Sequence, residues 1–491
     1  MTGQGPEPAI AGRAQLVYPT PPEHVRRGGL RGALRLFGPG AIIASVTIGS
    51  GETLFSSRAG AIFGYALLWF IALCILCKLV QVYTAARYLV LTGEHPMGAW
   101  ARFPGPRGWF PAGFGLLSIL CYPFWLGGLA MMLGTAINWI VGLDHAEPQL
   151  QRLYAQCFGT ATLVLAVVLT LVQPYAVLEK AQMAIVALLI LVILAALVVT
   201  PVPWCQVLVS TFWVRIPGYA GWMRQLHPDI VARETVVLSM GIFMGAIGGG
   251  PYDYLGYLSL FREKGWGGLG AGQALEDHRL PPVIDQTAAN LAAGRQWLRA
   301  PVVDVFAGFL CVAVFAMAFN ILGAAILHPK HVVPKEFALL TPQVEFLTQF
   351  GAGFKYLYQV GIFMAFWGTI YGAFEVYSRT AYECARPLWA GVRHAPYTKF
   401  RLPVCLYAGI GGIILMWTVE SPVDIVKPAA LIGTITCGIW CFAMIWADRT
   451  SLPRPLRMNA AWAVLNLVAG AILVAFGLRA IVDYGQDLCG G

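Results

Sequence analysis

Two glycine-rich interruptions in an otherwise apolar chain hold the oxygen donors that could do chemistry. The first, SVTIGSGETLF (residues 45–55), contains Thr47, Gly49, Ser50, Gly51 and Glu52. The second, MGAIGGGPYDYLGY (residues 244–257), contains Gly249, Gly250, Tyr252 and Asp253 around Pro251. Glycine pairs and proline break a helix, and the backbone groups they free are tolerated in a membrane only beside a cavity or inside protein. A carboxylate at such a depth is costly unless something balances it. A bound cation would balance it, so Glu52 and Asp253 are candidate metal ligands. Thr47, Ser50, Tyr252 and the freed carbonyls of Gly49, Gly51, Gly249 and Gly250 are candidate additional ligands. An all-oxygen set without a thioether suits hard ions such as magnesium, calcium or manganese. The same residues have a local reading. Ser50 and Glu52 open the second half of a helix, where both residue types are stabilised, and Asp253 faces a water-filled vestibule.

The elements that must position these residues are membrane helices. The chain is 58% hydrophobic and 12% charged, where a soluble domain is nearer half apolar and a quarter charged. A span needs about 20 mostly apolar residues. About eleven such stretches lie near 38–63, 65–91, 112–142, 157–173, 177–199, 235–260, 301–327, 356–378, 402–419, 425–447 and 459–482. Residues 1–35, rich in Pro, Gly and Arg, read as a disordered cytoplasmic tail with no cleavable signal. Most of the 33 Lys and Arg fall on the side of that tail. The positive-inside rule then predicts the N-terminus inside and the C-terminus outside, in the cytoplasmic membrane of a bacterium. The formal charge of +9 is a topology signal and implies no nucleic-acid partner.

The breaks fall in spans one and six, at equivalent places in two sets of five. Paired interrupted segments of this kind point to inverted repeats with a site at the midplane. The expected architecture is therefore all-α: one transmembrane domain over 36–491, with repeat one near 38–199, repeat two near 235–447 and an extra helix near 459–482.

The stretch GPGAIIASVTIGSGETLFSSRAGAIFGYALLWF resembles the first span of the natural resistance-associated macrophage protein (Nramp) family of metal-ion transporters. The likeness rests on Gly38 and Pro39, the break at 49–52, Ala59 and Gly60, Gly64 and Tyr65, and Leu67, Leu68 and Trp69, and it runs without gaps to about Thr92 and Gly93. YAVLEKAQMAIVALLI, LRAPVVDVFAGFL and IWADR match more weakly. The resemblance implies a LeuT-type fold with discontinuous helices one and six, and transport by alternating access. The departures concern the site. Where the family supplies an Asp and an Asn to the metal, this chain has Gly49 and Glu52, with Ser50 in place of the proline and only Gly51 kept. With Pro251 taken as the family proline, Gly250 replaces the Met and Tyr252 the His. Gly128 and Met131 replace the Asp and Glu used in proton movement, so uptake is expected to depend little on a pH gradient.

A rival reading uses the same residues. IGSGE is also similar to the Gly-Ser-Gly break of amino acid–polyamine–organocation transporters, where freed N–H groups hold a substrate carboxylate. Tyr252, Tyr254 and Tyr257 would then wall an organic solute. A non-transporting sensor on the same bundle ranks below both, because the tails are short. Lys78, mid-span, snorkels, pairs with a carboxylate, or stands in for a sodium ion as a fixed cation. Asp304 and Glu179 match family positions near span entrances and read as gate or helix-end residues, and Glu375 faces Arg379 one turn away. Most of the 11 cysteines, including the Cys74–Cys77 pair, are packing residues. No covalent chemistry is implied, so the chain is not read as an enzyme. No cofactor is expected beyond a transported divalent cation, and the partners are a small ion or solute and the lipid bilayer. The number of copies in the assembly is not readable from the sequence.

Overall fold

The computed structural model describes residues 15–27, 29–49, 51–172, 175–271, 280–334, 340–393 and 395–490. Ser50, a candidate ligand, lies outside them, as do residues 1–14 and the side chain of Glu179.

Every regular element among the described residues is helical. The first span is broken into α1 (Pro39–Thr47), a π-helical turn Gly51–Phe55, and α2 (Ser56–Phe63). It is followed by α3 (Leu68–Thr92), α4 (Trp109–Leu120), α5 (Tyr122–Val141), α6 (Pro148–Val172) and α7 (Tyr175–Val199). The second broken span is α8 (Val236–Ala246) and α9 (Pro251–Lys264). Then come α10 (Arg299–Leu322), α11 (Phe354–Ala385), α12 (Arg401–Thr418), α13 (Pro422–Ser451) and α14 (Ala460–Gly490). Among the described residues, eight helical stretches are long and apolar enough to cross a membrane, or nine if the pair Ile190–Val199 and Trp204–Phe212, bent by 118°, is one span. The halves of a broken span are too short to qualify alone, and one of the eight stretches runs Gly51–Thr92 through α2 and α3. The helix order is consistent with eleven crossings.

Both breaks arise where the sequence predicts them, and glycine is required there for contact. At Gly51 a Cβ would sit 2.2 Å from the Ala246 carbonyl oxygen at the end of α8, so only glycine lets the two broken spans touch. Gly248 and Gly249 both have φ of +86°, a region closed to ordinary side chains, and they turn the chain between α8 and α9. Elsewhere the bundle closes by small residues, as at Gly134, where a Cβ would lie 2.1 Å from the Ala155 carbonyl oxygen. Large apolar side chains such as Leu310 and Val198 face outward, as a lipid-facing surface requires.

Residues 15–27 and 29–35 depart from the expected disordered tail. Short helices form at Glu23–Arg26 and Leu30–Leu36. Leu16 pairs with Ile284, and the buried Tyr18 donates its hydroxyl to the Leu91 carbonyl at 2.7 Å. Non-local partners, invisible in a Pro-, Gly- and Arg-rich composition, hold this segment against the end of the bundle where α3 finishes.

Candidate ion site at the paired helix breaks

The charges at the two breaks first satisfy backbone. Glu52, in the π-helical turn, is fully buried. Its Oε1 accepts the Gly248 N–H at 2.7 Å, and its Oε2 accepts the Gly49 N–H at 3.4 Å. The carboxylate expected as a metal ligand therefore bridges the two breaks and does not line the cavity between them. Burying it is tolerable because backbone donors supply what a cation would have supplied.

Lys78 answers the opposite need. α8 stops at Ala246, leaving its final carbonyls without helical partners. The Lys78 Nζ donates to the carbonyls of Gly249 at 2.6 Å, Gly245 at 3.3 Å and Ile247. Tyr254 completes the turn by donating to the Gly248 carbonyl at 2.5 Å.

Asp253 starts α9, and its Oδ2 accepts the Gly250 N–H at 2.7 Å. The positive end of the helix favours its charge. It also lines a cavity of about 30 Å³ bounded by Thr47, Gly49, Gly51 and Gly249, with the Thr369 hydroxyl from α11 and the rings of Trp125 and Tyr377. Thr47 and Thr369 donate to carbonyls of their own helices, Ile43 and Ala365, which leaves oxygen lone pairs for a ligand. Tyr252 does not line this cavity. It folds back beside Gly250, edge-on to Tyr377, with a buried hydroxyl that has no partner among the described residues. No cluster of three or more His, Cys, Asp and Glu that could hold a metal exists among the described residues, so Glu52 and Asp253 do not form a cage of side chains.

Thr369 and Trp125 were not legible as site residues, because a threonine or tryptophan in an apolar span carries no distinctive spacing. The Trp125 Nε1–H is likewise buried without a partner.

Two further clusters flank the cavity. On the side where α1 begins, the Asp304 Oδ1 accepts the N–H groups of Gly38 at 2.9 Å and Gly40 at 2.8 Å, and its Oδ2 accepts the Tyr257 hydroxyl at 2.6 Å. This ties α1 and α9 to α10. On the far side, Glu234 pairs with Arg58 of α2 at 3.3 Å and Lys427 of α13 at 3.1 Å, and Lys427 also pairs with Asp424 at 2.7 Å. Burial raises the Glu234 carboxyl pKa, but the two cations win and hold it below the ordinary carboxylate range. These groups face an open vestibule of about 330 Å³. The sequence reading missed this triad, although Arg58 and Lys427, charges inside apolar stretches, were the available signal. Glu375 pairs with Arg379 at 3.0 Å as expected, and also with Arg401 at 2.8 Å. Cys74 and Cys77 are free and buried.

No curated protein matches the chain. A manganese transporter of Eremococcus coleocola, solved with an aromatic bis-isothiourea substituted compound, is similar in structure, with a TM-score of 0.63 at 15% identity, covering 94% of this chain and 89% of that one. A mutant of that transporter gives 0.61 at 14% identity, covering 98% and 92%. MhsT in complex with L-phenylalanine gives 0.50 at 13% identity, covering 91% and 98%. At such identities the likeness concerns the fold, and it is the LeuT-type fold expected from the paired breaks. The family model described as natural resistance-associated macrophage protein-like matches residues 40–483. That match spans nearly the whole membrane domain, and the chain belongs to this family of transporters.

Proposed function

We propose that the chain moves a single hard divalent cation, such as magnesium, manganese or calcium, by alternating access, and that Asp253 rather than Glu52 is its charged ligand. The observation that carries this reading is the size and lining of the cavity between the breaks. About 30 Å³ with one carboxylate, two threonine hydroxyls and the Gly249 backbone accepts one ion or a water or two. It is far smaller than the roughly 300 Å³ and upward of small-molecule sites. Hard oxygen ligands with one formal charge, near a fixed ammonium, suit weak binding and rapid release.

The flanking clusters fit the two gates of such a cycle. Asp304 holds the inner half of the first span, and Glu234 joins the outer halves of the first and sixth spans to α13 through Arg58 and Lys427. The cation bias supports an inside N-terminus and an outside C-terminus. A C-terminal reporter active only in the cytoplasm is expected to stay silent.

A second reading, a small organic solute, draws on two buried donors near the breaks that have no partner among the described residues, Trp125 Nε1–H and Tyr252 O–H. Uptake into proteoliposomes separates the two. Divalent cations and a panel of amino acids are offered to wild type and Asp253→Asn. Divalent uptake lost in the variant supports the ion reading, and saturable amino-acid uptake without divalent uptake overturns it.

A further inference from the structure

We propose that Lys78 is a built-in cation that fills a monovalent-cation seat formed by the second break, so that no exchangeable sodium or potassium ion binds or drives this protein there. The proposal rests on the transporter reading for its consequence in uptake, but the seat is a matter of local geometry.

The end of α8 makes the seat. A helix C-terminus carries partial negative charge on carbonyls that lack N–H partners. In a membrane interior an unsatisfied carbonyl is strongly disfavoured. Here the carbonyls of Gly245, Ile247 and Gly249 converge on one point. The chain turns at Gly248 and Gly249, both at positive φ, between the Ile247 and Gly249 carbonyls that meet there. Three converging carbonyl oxygens supply part of the oxygen shell that a hard monovalent cation takes. An ammonium with three donors satisfies the same three oxygens.

Nearby anions complete the match. Glu52 is bonded to the Gly248 N–H and Asp253 to the Gly250 N–H, so both carboxylates sit on the same turn that offers its carbonyls to Lys78. The Lys78 stem reaches the turn from α3 and is fully buried, with no path for the amine to snorkel to an interface. The gap it fills is tight: a Cβ on Gly248 would lie 3.2 Å from the Lys78 Cδ.

Because the cation is covalently tethered, it cannot leave during a transport cycle. Its charge holds the turn in every state, and a monovalent ion gradient has nothing to act on at this place. Removing the amine reopens the seat.

The test uses full-length purified protein, wild type and Lys78→Ala, melted in NaCl, KCl and choline chloride at equal ionic strength. Wild type is expected to melt at the same temperature in all three and to bind no radioactive sodium. Lys78→Ala is expected to melt lower in choline chloride and to be raised by sodium or potassium in a concentration-dependent way, by roughly 2 °C or more at saturation. Lys78→Gln, which keeps one or two donors, is the second variant should Lys78→Ala not be recovered folded, and it is expected to show a smaller ion-dependent rise. Stoichiometric sodium binding by wild type overturns the proposal, as does a folded variant that melts alike in all three salts. Neither result depends on which solute is carried, so failure here is distinguishable from failure of the divalent-cation reading.

Discussion

The carboxylate of Glu52 accepts the backbone N–H of Gly248 at 2.7 Å, a bond between residues 196 apart in sequence that fastens one helix break to the other. A few ångströms away the relationship is reversed, with the Lys78 ammonium holding the carbonyls of the same turn. The two interrupted spans are therefore held by one internal anion and one internal cation. Asp253 is left as the carboxylate that lines the cavity.

Glu52→Gln tests the bridge. Glutamine can still accept the Gly248 N–H, but it loses the charge that strengthens the bond and the second acceptor for Gly49. Stability is expected to fall by about 1–3 kcal/mol, while divalent affinity changes little. Titration calorimetry and thermal melts on the same sample check both. A tenfold loss of affinity with unchanged stability would instead make Glu52 an ion ligand.

Asp253→Asn is expected to do the reverse. Asparagine keeps an acceptor for the Gly250 N–H and loses only the attraction of the charge to the helix end, about 0.3–1 kcal/mol, so melting should move little. One charge-assisted contact to the ion is worth about 1.5–3 kcal/mol, so divalent binding and uptake should drop roughly tenfold or more. Uptake equal to wild type would remove Asp253 from the site.

Asp304→Ala leaves the N–H groups of Gly38 and Gly40 and the hydroxyl of Tyr257 without their acceptor. Each orphaned group costs about 1–3 kcal/mol, and α1 should loosen before the bundle does. Hydrogen exchange over residues 38–47 is expected to speed up, with Asp304→Asn intermediate. Unchanged protection of that segment would mean that Asp304 does not hold the first half of the broken span, α1.

His95, in the turn after α3, gives a pH signature. Burial lowers its pKa to about 4, against the opposing pull of Glu383. Its Nδ1 accepts the Met97 N–H, so the ring is neutral in the fold. The unfolded chain takes up a proton below about 6.5, whereas the folded chain does so only near 4. The contribution of His95 to stability is therefore complete above 6.5 and is lost as pH falls toward 4, at no more than about 1.4 kcal/mol per pH unit. His95→Asn keeps an acceptor for Met97 and removes the titration. Melts between pH 7 and 4 should fall less steeply for the variant than for wild type, and parallel slopes would contradict this account.

Hydropathy and glycine placement were sufficient, from the sequence alone, for the membrane class, the all-helical fold and the position of both breaks. These properties are local: a run of apolar residues must enter lipid, and closely spaced glycines at 49 and 51 and a Gly-Gly-Gly-Pro run at 248–251 weaken a regular helix at those points. The motif around the first break carried the family for the same reason. The partners of the charges were decided only in three dimensions. A buried carboxylate requires a donor or a cation, and the sequence around Glu52 is equally compatible with either. Only the packing of the π-helical turn Gly51–Phe55 against the end of α8 supplies the Gly248 N–H, and this is why the proposed ion ligand is Asp253 and not Glu52. Lys78 meets carbonyls more than 160 residues away, Tyr252 turns behind the cavity wall, and Thr369 arrives from α11 with no signal in its neighbourhood. Residues 16–18 lie against the rest of the chain because Tyr18 reaches Leu91 and Leu16 reaches Ile284, contacts that composition does not encode. Which groups satisfy one another depends on distances between remote segments, and those distances exist only once the helices have packed.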